Sequence, residues 1–583
     1  MSAEKLITDH IDIWTSAVQA KSSSGRGSGK KRELYGIKKL RELILELAVR
    51  GKLVPQDPTD EPASVLLERI ATEKAQLVKL KQIKKPKALP AIEDTEMPFA
   101  LPHGWEWVRL NDLGEWGAGA TPKRGNSEFY GGDIPWFKSG ELTADYISES
   151  EETVTETALV QTSLRYNKVG DVLVAMYGAT IGKTAILDVR ATTNQAVCAC
   201  TPFTGFLNTY LLTLLKAYKP RLVGMGAGGA QPNISREKII ATVIALPPVE
   251  EQTRVVAKVD ELMKLCDQLE QQTEASLDAH QVLVETLLAT LTNSQYATEL
   301  MANWARISEH FDTLFTTEQS IDQLKQTILQ LAVMGKLVPQ DPNDEPAAIL
   351  LERIAEEKAQ LVKEKKIKKQ KALLPIAEDE KPFELPKGWA WCRLDDICQG
   401  ITSGSTPPKS NFQELPGIPY LKVYNIRNQL IDFEYNPQFI DIECHSSKLA
   451  RSVLYPGDVV MNIVGPPLGK IALIPDSYPE WNCNQAITFF RPIEPSLNRY
   501  IYTYLTAGTF LDSIELIGTA GQDNISVTKS RSIVLPTPPL EEQSRIVRKV
   551  NDLLKICEQL KQRLRDSQQT QLQLTDAIVE QAL

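Results

Sequence analysis

"GKLVPQDPTDEPASVLLERIATEKAQLVKLKQIKKPKAL" occupies residues 51–89 and returns as "GKLVPQDPNDEPAAILLERIAEEKAQLVKEKKIKKQKAL" at residues 335–373. The two stretches are identical at 32 of 39 positions, and the segments before them, residues 40–49 and 324–333, repeat as well. A spacing of about 285 residues is far longer than the roughly 20 to 50 residues of solenoid repeats. The chain is therefore a duplication of one complete unit.

Each copy also carries an opening and a closing motif around a divergent block. "PFALPHGWEWVRL" (98–110) and "PFELPKGWAWCRL" (382–394) open the two blocks, and "LPPVEEQTRVV" (246–256) and "TPPLEEQSRIV" (537–547) close them. The blocks themselves resemble each other only at short anchors that occur in the same order. We expect them to share a fold and to differ over most of their surface.

A long helix is predicted after each block. From Glu250 the apolar residues Val256, Val259, Leu262, Cys266 and Leu269 recur at steps of three and four, and the segment that begins at residue 538 repeats this stripe. Such a stripe is typical of a coiled-coil seam. A pseudo-twofold relation between the copies would make the two helices antiparallel; the alternative is a pair of unrelated surface helices.

The blocks between the helices are rich in β-branched and aromatic residues, with Gly, Pro, Asn and Ser at short intervals, which predicts β-rich domains with prominent loops. The predicted fold class is α/β (α+β): two β-rich domains separated by long antiparallel coiled-coil helices, with pseudo-twofold internal duplication. The predicted segments are an N-terminal helical region (1–97), the first block (98–246), a central helical spacer that includes the second repeat (247–381), the second block (382–537) and a C-terminal spacer helix (538–583).

The stretch "GATIGKT" at residues 178–184 resembles a phosphate-binding loop and raises the alternative of a nucleotide hydrolase. That loop needs four residues between its first glycine and the Gly-Lys pair, whereas Gly178 and Gly182 enclose three. The second block has "GPPLGKI" at this point, with Ile471 where the hydroxyl that binds magnesium would be. We therefore interpret both stretches as strand–turn–strand connections that place Lys183 and Lys470 at the surface.

Composition limits the remaining function classes. The chain has 583 residues and a net charge of −9. Binding of nucleic acid would therefore require local basic patches or partner subunits that supply positive charge. Its eight cysteines include no CxxC pair and it has five histidines, so we expect buried reduced thiols and no metal site. No long apolar segment indicates a membrane span or a signal peptide, which favours a cytoplasmic protein. Methyltransferase, helicase and Gly-x-Ser-x-Gly motifs are missing, so we expect no catalysis in this chain.

The doubled motif set, with "GKLVPQ…EPA…LLERI" before each block, "LP.GW.W..L" opening it and "PP..EEQ.RIV" closing it, resembles the specificity (S) subunit of type I restriction–modification enzymes over essentially the whole chain. The resemblance implies a bacterial cytoplasmic protein with two target recognition domains, each reading one half of a bipartite, asymmetric site in double-stranded DNA. It also implies two modification (methyltransferase) subunits and restriction/translocase subunits as partners. S-adenosylmethionine, ATP and Mg would then be bound by those partners, and no cofactor by this chain.

Base readout needs a few Arg, Lys, Asn or Gln side chains that reach the major groove. Residues common to both blocks cannot distinguish two different half-sites, so we expect Asn194, Gln195 and their copies to be buried amides that satisfy turns. The predicted DNA-binding residues are mostly loop residues that differ between the blocks, together with the lysines of the two Gly-Lys turns: Lys123, Arg124, Lys138, Tyr177, Lys183, Gln231, Lys409, Lys422, Asn425, Arg427, Lys470 and Gln522.

Two functions of other classes remain as alternatives. A coiled-coil scaffold that gathers protein partners would suit the acidic charge but gives no reason for divergent loops beside repeated motifs. A nucleotide hydrolase would use Lys183.

A helix from Glu250 to about Leu291 would be about 60 Å long. An antiparallel pair of such helices can hold two DNA-reading domains about 34 Å, one DNA turn, apart.

Overall fold

The structure is a computed structural model that describes residues 3–21, 31–85, 88–226, 232–414, 417–465, 467–514 and 523–583. The chain divides into two units, one made of residues 1–277 and 567–583 and the other of residues 278–566. No helix in these described ranges is long and apolar enough to cross a lipid bilayer.

The first unit contains helices α1 (Ala3–Asp9), α2 (Ile11–Ser16), α3 (Tyr35–Val49), α4 (Ala63–Lys79), α5 (Glu156–Gln161), α6 (Asn208–Ala217), α7 (Lys219–Gly226), α8 (Arg236–Ile240) and the start of α9 (Val249–Asn293). Its strands are β1 (Gln19–Lys21), β2 (Lys31–Glu33), β3 (Glu106–Arg109), β4 (Gly114–Ala118), β5 (Tyr130–Phe137), β6 (Tyr146–Ile147), β7 (Thr153–Val154), β8 (Val172–Ala175), β9 (Thr184–Leu187), β10 (Thr192–Thr193), β11 (Val197–Pro202) and β12 (Val243–Leu246).

The strands of the first block form a five-stranded sheet in the order β4-β11-β8-β9-β6 and a three-stranded sheet in the order β10-β5-β7. In the larger sheet β8 and β9 are antiparallel and β6 joins β9 in parallel. Both β8 and β9 are buried at every position, because the apolar run before the Gly-Lys turn is covered on both faces. Strands β3 and β12 pair antiparallel and so join the beginning and the end of the block.

The second unit contains the end of α9, then α10 (Ala297–Glu309), α11 (Phe311–Leu314), α12 (Glu318–Val333), α13 (Ala347–Lys363), α14 (Leu394–Ile397), α15 (Ile442–Ser446), α16 (Asn498–Ala507), α17 (Val527–Arg531) and most of α18 (Leu540–Ala582). Its strands are β13 (Ala390–Arg393), β14 (Thr402–Ser403), β15 (Phe412–Gln413), β16 (Ile418–Leu421), β17 (Ile426–Arg427), β18 (Leu430–Ile431), β19 (Phe439–Ile440), β20 (Val459–Asn462), β21 (Ile471–Leu473), β22 (Asn482–Cys483), β23 (Ile487–Phe490) and β24 (Val534–Thr537).

The second block repeats this plan with two four-stranded sheets, β14-β23-β20-β21 and β15-β19-β16-β22, and with the closing pair β13-β24. It also contains an antiparallel hairpin of β17 and β18. The predicted strand–turn–strand around each Gly-Lys pair is confirmed, because β8 pairs with β9 and β20 pairs with β21.

The long helices pack against a shorter helix in each unit. In the first unit Arg41 of α3 binds Asp267 and Glu270 of α9 at 2.6 Å each, and the Tyr35 hydroxyl donates to Asp576 of α18 at 2.7 Å. Because Gln56, just after α3, reaches Glu251 near the start of α9, α3 runs antiparallel to α9.

In the second unit α12 runs antiparallel to α18, since Lys561 binds Asp322 at 2.5 Å and Arg565 binds Glu318 at 2.8 Å. α12 runs parallel to the end of α9, because Gln323 donates to Glu285 at 2.7 Å and Lys336, just after α12, donates to the Thr292 carbonyl at 2.7 Å. The ends of the two long helices are therefore antiparallel here, as predicted.

The apolar stripe on α9 is confirmed from Val259 to Leu269, but it begins at Val255, which is fully buried, rather than at Val256. Its side chains belong to the same core cluster as α3. The α9 stripe therefore packs against α3, a partner that the heptad pattern alone does not reveal.

The repeated motifs of each unit meet at one buried carboxylate. Glu251 of the closing "EEQ" accepts from Trp105 of the opening "GW" at 2.9 Å and from Gln56 of "LVPQ" at 3.1 Å. Glu542 repeats both bonds with its own tryptophan and glutamine. Burial raises the pKa of Glu251, and the two hydrogen bonds oppose that rise. The motifs are therefore needed to assemble the base of each block.

A second repeated clamp holds the segment that follows α4. The buried Arg109 guanidinium donates to both carboxylate oxygens of Glu96, at 3.0 and 2.9 Å, and to the backbone carbonyls of Pro90, Ala91 and Ala241. Arg393 makes the corresponding five bonds in the second unit. Each guanidinium has five N–H donors in one plane, and every one of them has an acceptor here.

Candidate nucleic-acid interface

One backbone hydrogen bond recurs at the same place in the two blocks. The Trp136 N–H donates to the Glu152 carbonyl at 3.1 Å, and the Tyr420 N–H donates to the Gln438 carbonyl at 2.8 Å. The segments enclosed by these bonds, 137–151 and 421–437, are therefore equivalent loops in the two domains.

Each of these loops starts with a lysine in the same local structure. The Lys138 N–H donates to the Glu141 carboxylate at 2.5 Å, and the Lys422 N–H donates to the Asn425 side-chain oxygen at 3.0 Å. Lys138 and Lys422 are thus equivalent, although both were predicted to be loop residues that differ between the blocks. Lys138 and Lys422 therefore do not belong to the residues that differ between the two blocks.

In the first block a guanidinium covers two aromatic rings. Arg124 lies 4.9 Å from the ring centroid of Tyr130 and 5.0 Å from that of Trp136, and it forms an ion pair with Glu152. The Arg124 side chain is 55% exposed, so it remains open to solvent despite this pair.

Lys138 shares the same acidic partner. Its ammonium lies 3.0 Å from Glu152 and 2.9 Å from Glu151. Hydrogen bonds from Arg124 and then Lys138 hold the pKa of Glu152 below its usual range. Two of the predicted DNA-binding cations, Arg124 and Lys138, therefore share the Glu152 carboxylate in the free protein.

In the second block the equivalent region is an open cleft of about 470 Å³ beside the β17–β18 hairpin. Arg427 lies 4.1 Å from the Tyr435 ring centroid and 3.2 Å from the Asp432 carboxylate. The side chains that line the cleft are mainly aromatic, amide or cationic: Tyr424, Ile426, Arg427, Asn428, Gln429, Tyr435 and Lys470.

The lysines of the two Gly-Lys turns differ in their surroundings. The partly buried Lys183 donates to the Gly140 carbonyl at 3.3 Å. Lys470 instead lines the cleft of the second block. Tyr177, one turn before Lys183, is 38% exposed.

Of the remaining predicted residues, Lys123 and Lys409 are exposed on loops. Asn425 is fully buried, and its side-chain amide donates to the Tyr435 carbonyl at 2.9 Å. The prediction that Asn425 reads a base was therefore wrong, because its side chain is buried and stabilises the loop. Gln231 and Gln522 lie outside the described residues.

The shared Asn-Gln pairs were expected to be buried amides. Asn194 does cap a turn, by accepting from the Ala196 N–H at 3.1 Å. Gln195 is exposed, however, and accepts from the Thr121 hydroxyl; Gln485 is exposed in the same way. The glutamines therefore fasten the loops that carry Lys123 and Lys409 to the strands beneath.

Several side chains of these surfaces were not selected from the sequence, among them Glu152, Asn428 and Tyr435. Glu152 is 28 residues from Arg124 along the chain, so no local pattern indicated their pairing. Asn428 and Gln429 have positive φ values of 49° and 61°, which are typical of a two-residue hairpin turn. The flanking strands are only two residues long, so no alternation of apolar and polar residues revealed the hairpin.

The comparisons with known proteins agree with this architecture. The family model described as "Type I restriction modification DNA specificity domain" matches residues 102–279 and 386–567. The chain is 43% identical to the type I restriction enzyme EcoAI specificity subunit and 44% identical to the EcoEI specificity subunit, both of Escherichia coli, over the full length of each protein. The chain belongs to the type I restriction–modification DNA specificity family.

Solved structures are less similar. A structure described as showing assembly and conformational transition of the type I R-M system matches 83% of this chain and 99% of its own, at 19% identity and a TM-score of 0.48. The HsdS subunit from Thermoanaerobacter tengcongensis matches 84% of this chain and 98% of its own, at 19% identity and a TM-score of 0.40.

Proposed function

We propose that this chain is the DNA sequence-recognition subunit of a type I restriction–modification complex and reads a bipartite, asymmetric site, one half per block. The observation that carries the proposal is the pair of equivalent loops, 137–151 and 421–437. They start from the same lysine position on the same fold, yet one presents carboxylates and the other a cleft with Arg427 and an amide at its hairpin tip. Two loops at equivalent positions that present different side chains are suited to binding two different DNA half-sites.

Charge supports a need for partner subunits. The first block has 13 Lys and Arg against 14 Asp and Glu over residues 98–246, and the second has 12 against 15 over residues 382–537. Phosphate neutralisation by cations supplies much of the affinity of DNA-binding proteins. We propose that two modification subunits complete the positive surface around the duplex and carry S-adenosylmethionine, and that restriction subunits carry ATP and Mg. The chain itself would then act without catalysis, in the bacterial cytoplasm.

A fixed gap between the half-sites is a further part of the proposal, and the long helices support it. At about 1.5 Å per residue, the 45 residues of α9 extend over about 68 Å. α9 and α18 each contribute residues to both units. We propose that they hold the gap constant, at about one helical turn of DNA between half-site centres. A mapped site that is continuous, or whose gap varies freely, would contradict this proposal.

The test is a domain exchange in the assembled complex. Residues 110–245 are replaced by the corresponding block of a relative, the chain is purified with its modification subunits, and adenine methylation is mapped on DNA. We expect sequence-specific methylation at a bipartite site, with only one half-site changed by the exchange. The proposal fails if the wild-type complex methylates no specific sequence, or if the exchange changes both half-sites.

A further inference from the structure

We propose that the β17–β18 hairpin is the base-reading element of the second block and that Asn428, at its tip, is a specificity-determining residue for one base pair. This inference rests on the proposed function. A two-stranded β-ribbon fits the major groove of DNA, and an asparagine amide can pair with an adenine edge.

The turn of the hairpin is anchored to the rest of the second block through Gln429. The Gln429 side-chain oxygen accepts from the Ile471 N–H at 2.7 Å, and the Gln429 carbonyl accepts from the Tyr502 hydroxyl at 2.9 Å. One of the two turn residues is thus committed to the domain. A reading element gains precision when its support is already fixed before binding.

The side chain of the other turn residue, Asn428, is available to bind DNA. Asn428 is exposed, and none of the hydrogen bonds found in the described part of the chain uses its side chain. It lines the cleft together with Arg427 and Lys470. Arg427 is held between the Tyr435 ring and the Asp432 carboxylate. Arg427 and Lys470 are thus placed to contact DNA phosphates, and the Asn428 amide beside them is placed to contact the edge of a base.

The first block uses the equivalent segment differently, which makes the hairpin suitable for discrimination. There, residues 146 and 147 form β6, which pairs in parallel with β9 at the edge of the larger sheet. Among the described residues of the two equivalent loops, only the loop of the second block contains such a hairpin. An element that differs in this way can read one half-site without imposing the same preference on the other.

The experiment compares three variants of the chain in its complex with modification subunits: Asn428→Gly, Asn428→Asp and, as a matched control, Asn436→Gly. Asn436 is also an exposed asparagine with positive φ, 57°, but it does not line the cleft. Glycine accepts left-handed backbone at both positions, so both glycine variants keep the turn. Thermal unfolding of each variant checks that the fold is retained.

Base preference is measured at every position of the site by selection from a randomised duplex library. We expect Asn428→Gly to reduce discrimination about 5- to 150-fold at one position of one half-site, and Asn428→Asp to change the preferred base there. Asn436→Gly should change nothing. Unchanged preferences in Asn428→Gly, or a uniform loss of affinity for all sequences, would overturn the inference. A wild-type complex without any sequence preference would instead overturn the proposed function.

Discussion

Removal of the Glu152 charge should strengthen DNA binding by the first block. Glu152 forms ion pairs with both Arg124 and Lys138, and these side chains are 55% and 27% exposed against 34% for Glu152. If Arg124 and Lys138 contact DNA, both ion pairs must break on binding. Glu152→Gln removes that cost, because an amide does not compete with phosphate for the two cations.

The magnitude follows from the exposure of the two pairs. Partly exposed ion pairs contribute about 0.2–1 kcal/mol each, so breaking two of them costs about 0.4–2 kcal/mol. Glu152→Gln should therefore raise affinity for duplex DNA about 2- to 30-fold. The gain should shrink with rising salt, because mobile ions screen exposed charges beyond about 10 Å at 0.1 M ionic strength.

The assay is fluorescence anisotropy with specific and random duplexes over a salt series, using the complex with modification subunits. Glu151→Gln is the matched control, since its carboxylate is 72% exposed and, among the described residues, forms an ion pair with Lys138 alone. Its gain should be at most about 5-fold. Unchanged or weaker binding by Glu152→Gln at low salt would refute the reasoning. Loss of preference at one base pair only would show that Glu152 reads a base itself.

Three further predictions concern stability, phosphate contact and thiol chemistry. Arg109→Lys and Arg393→Lys should each destabilise their own unit by about 2–4 kcal/mol, because an ammonium cannot satisfy five acceptors in a fork geometry; urea unfolding of either variant that matches the wild type would contradict this. Lys183→Ala should weaken binding to all DNA sequences and lower the salt slope by about one unit without changing the preferred site, and saturable ATP binding abolished by the same change would reopen the nucleotide-hydrolase alternative. All eight cysteines are buried and burial raises the pKa of Cys198 to about 12, so iodoacetamide at pH 8 should label the native chain slowly and all eight thiols only after denaturation, as mass spectrometry would report.

Much of the architecture follows from the repeated sequence. The duplication, the long helices and the strand–turn–strand around Lys183 were all predicted correctly, because they depend on local periodicity and on comparison of two copies within one chain. The division into five segments remains a prediction. The repeated motifs were read as signs of a family, and the structure adds their physical purpose: Gln56, Trp105 and Glu251 come from three separate motifs and meet in one hydrogen-bonded group.

The candidate DNA-contacting surfaces depended on tertiary structure. Arg124 and Glu152 are 28 residues apart in sequence, and only the pairing of β5 with β7 brings them together. Asn425 and Asn428 are three residues apart and equally polar, yet one is buried inside the loop and the other is exposed at the hairpin tip. Sequence by itself determined the duplication and the elements, since these depend on local spacing. Tertiary structure decided which charges and amides face solvent, because burial and ion pairing depend on contacts between segments that are distant along the chain.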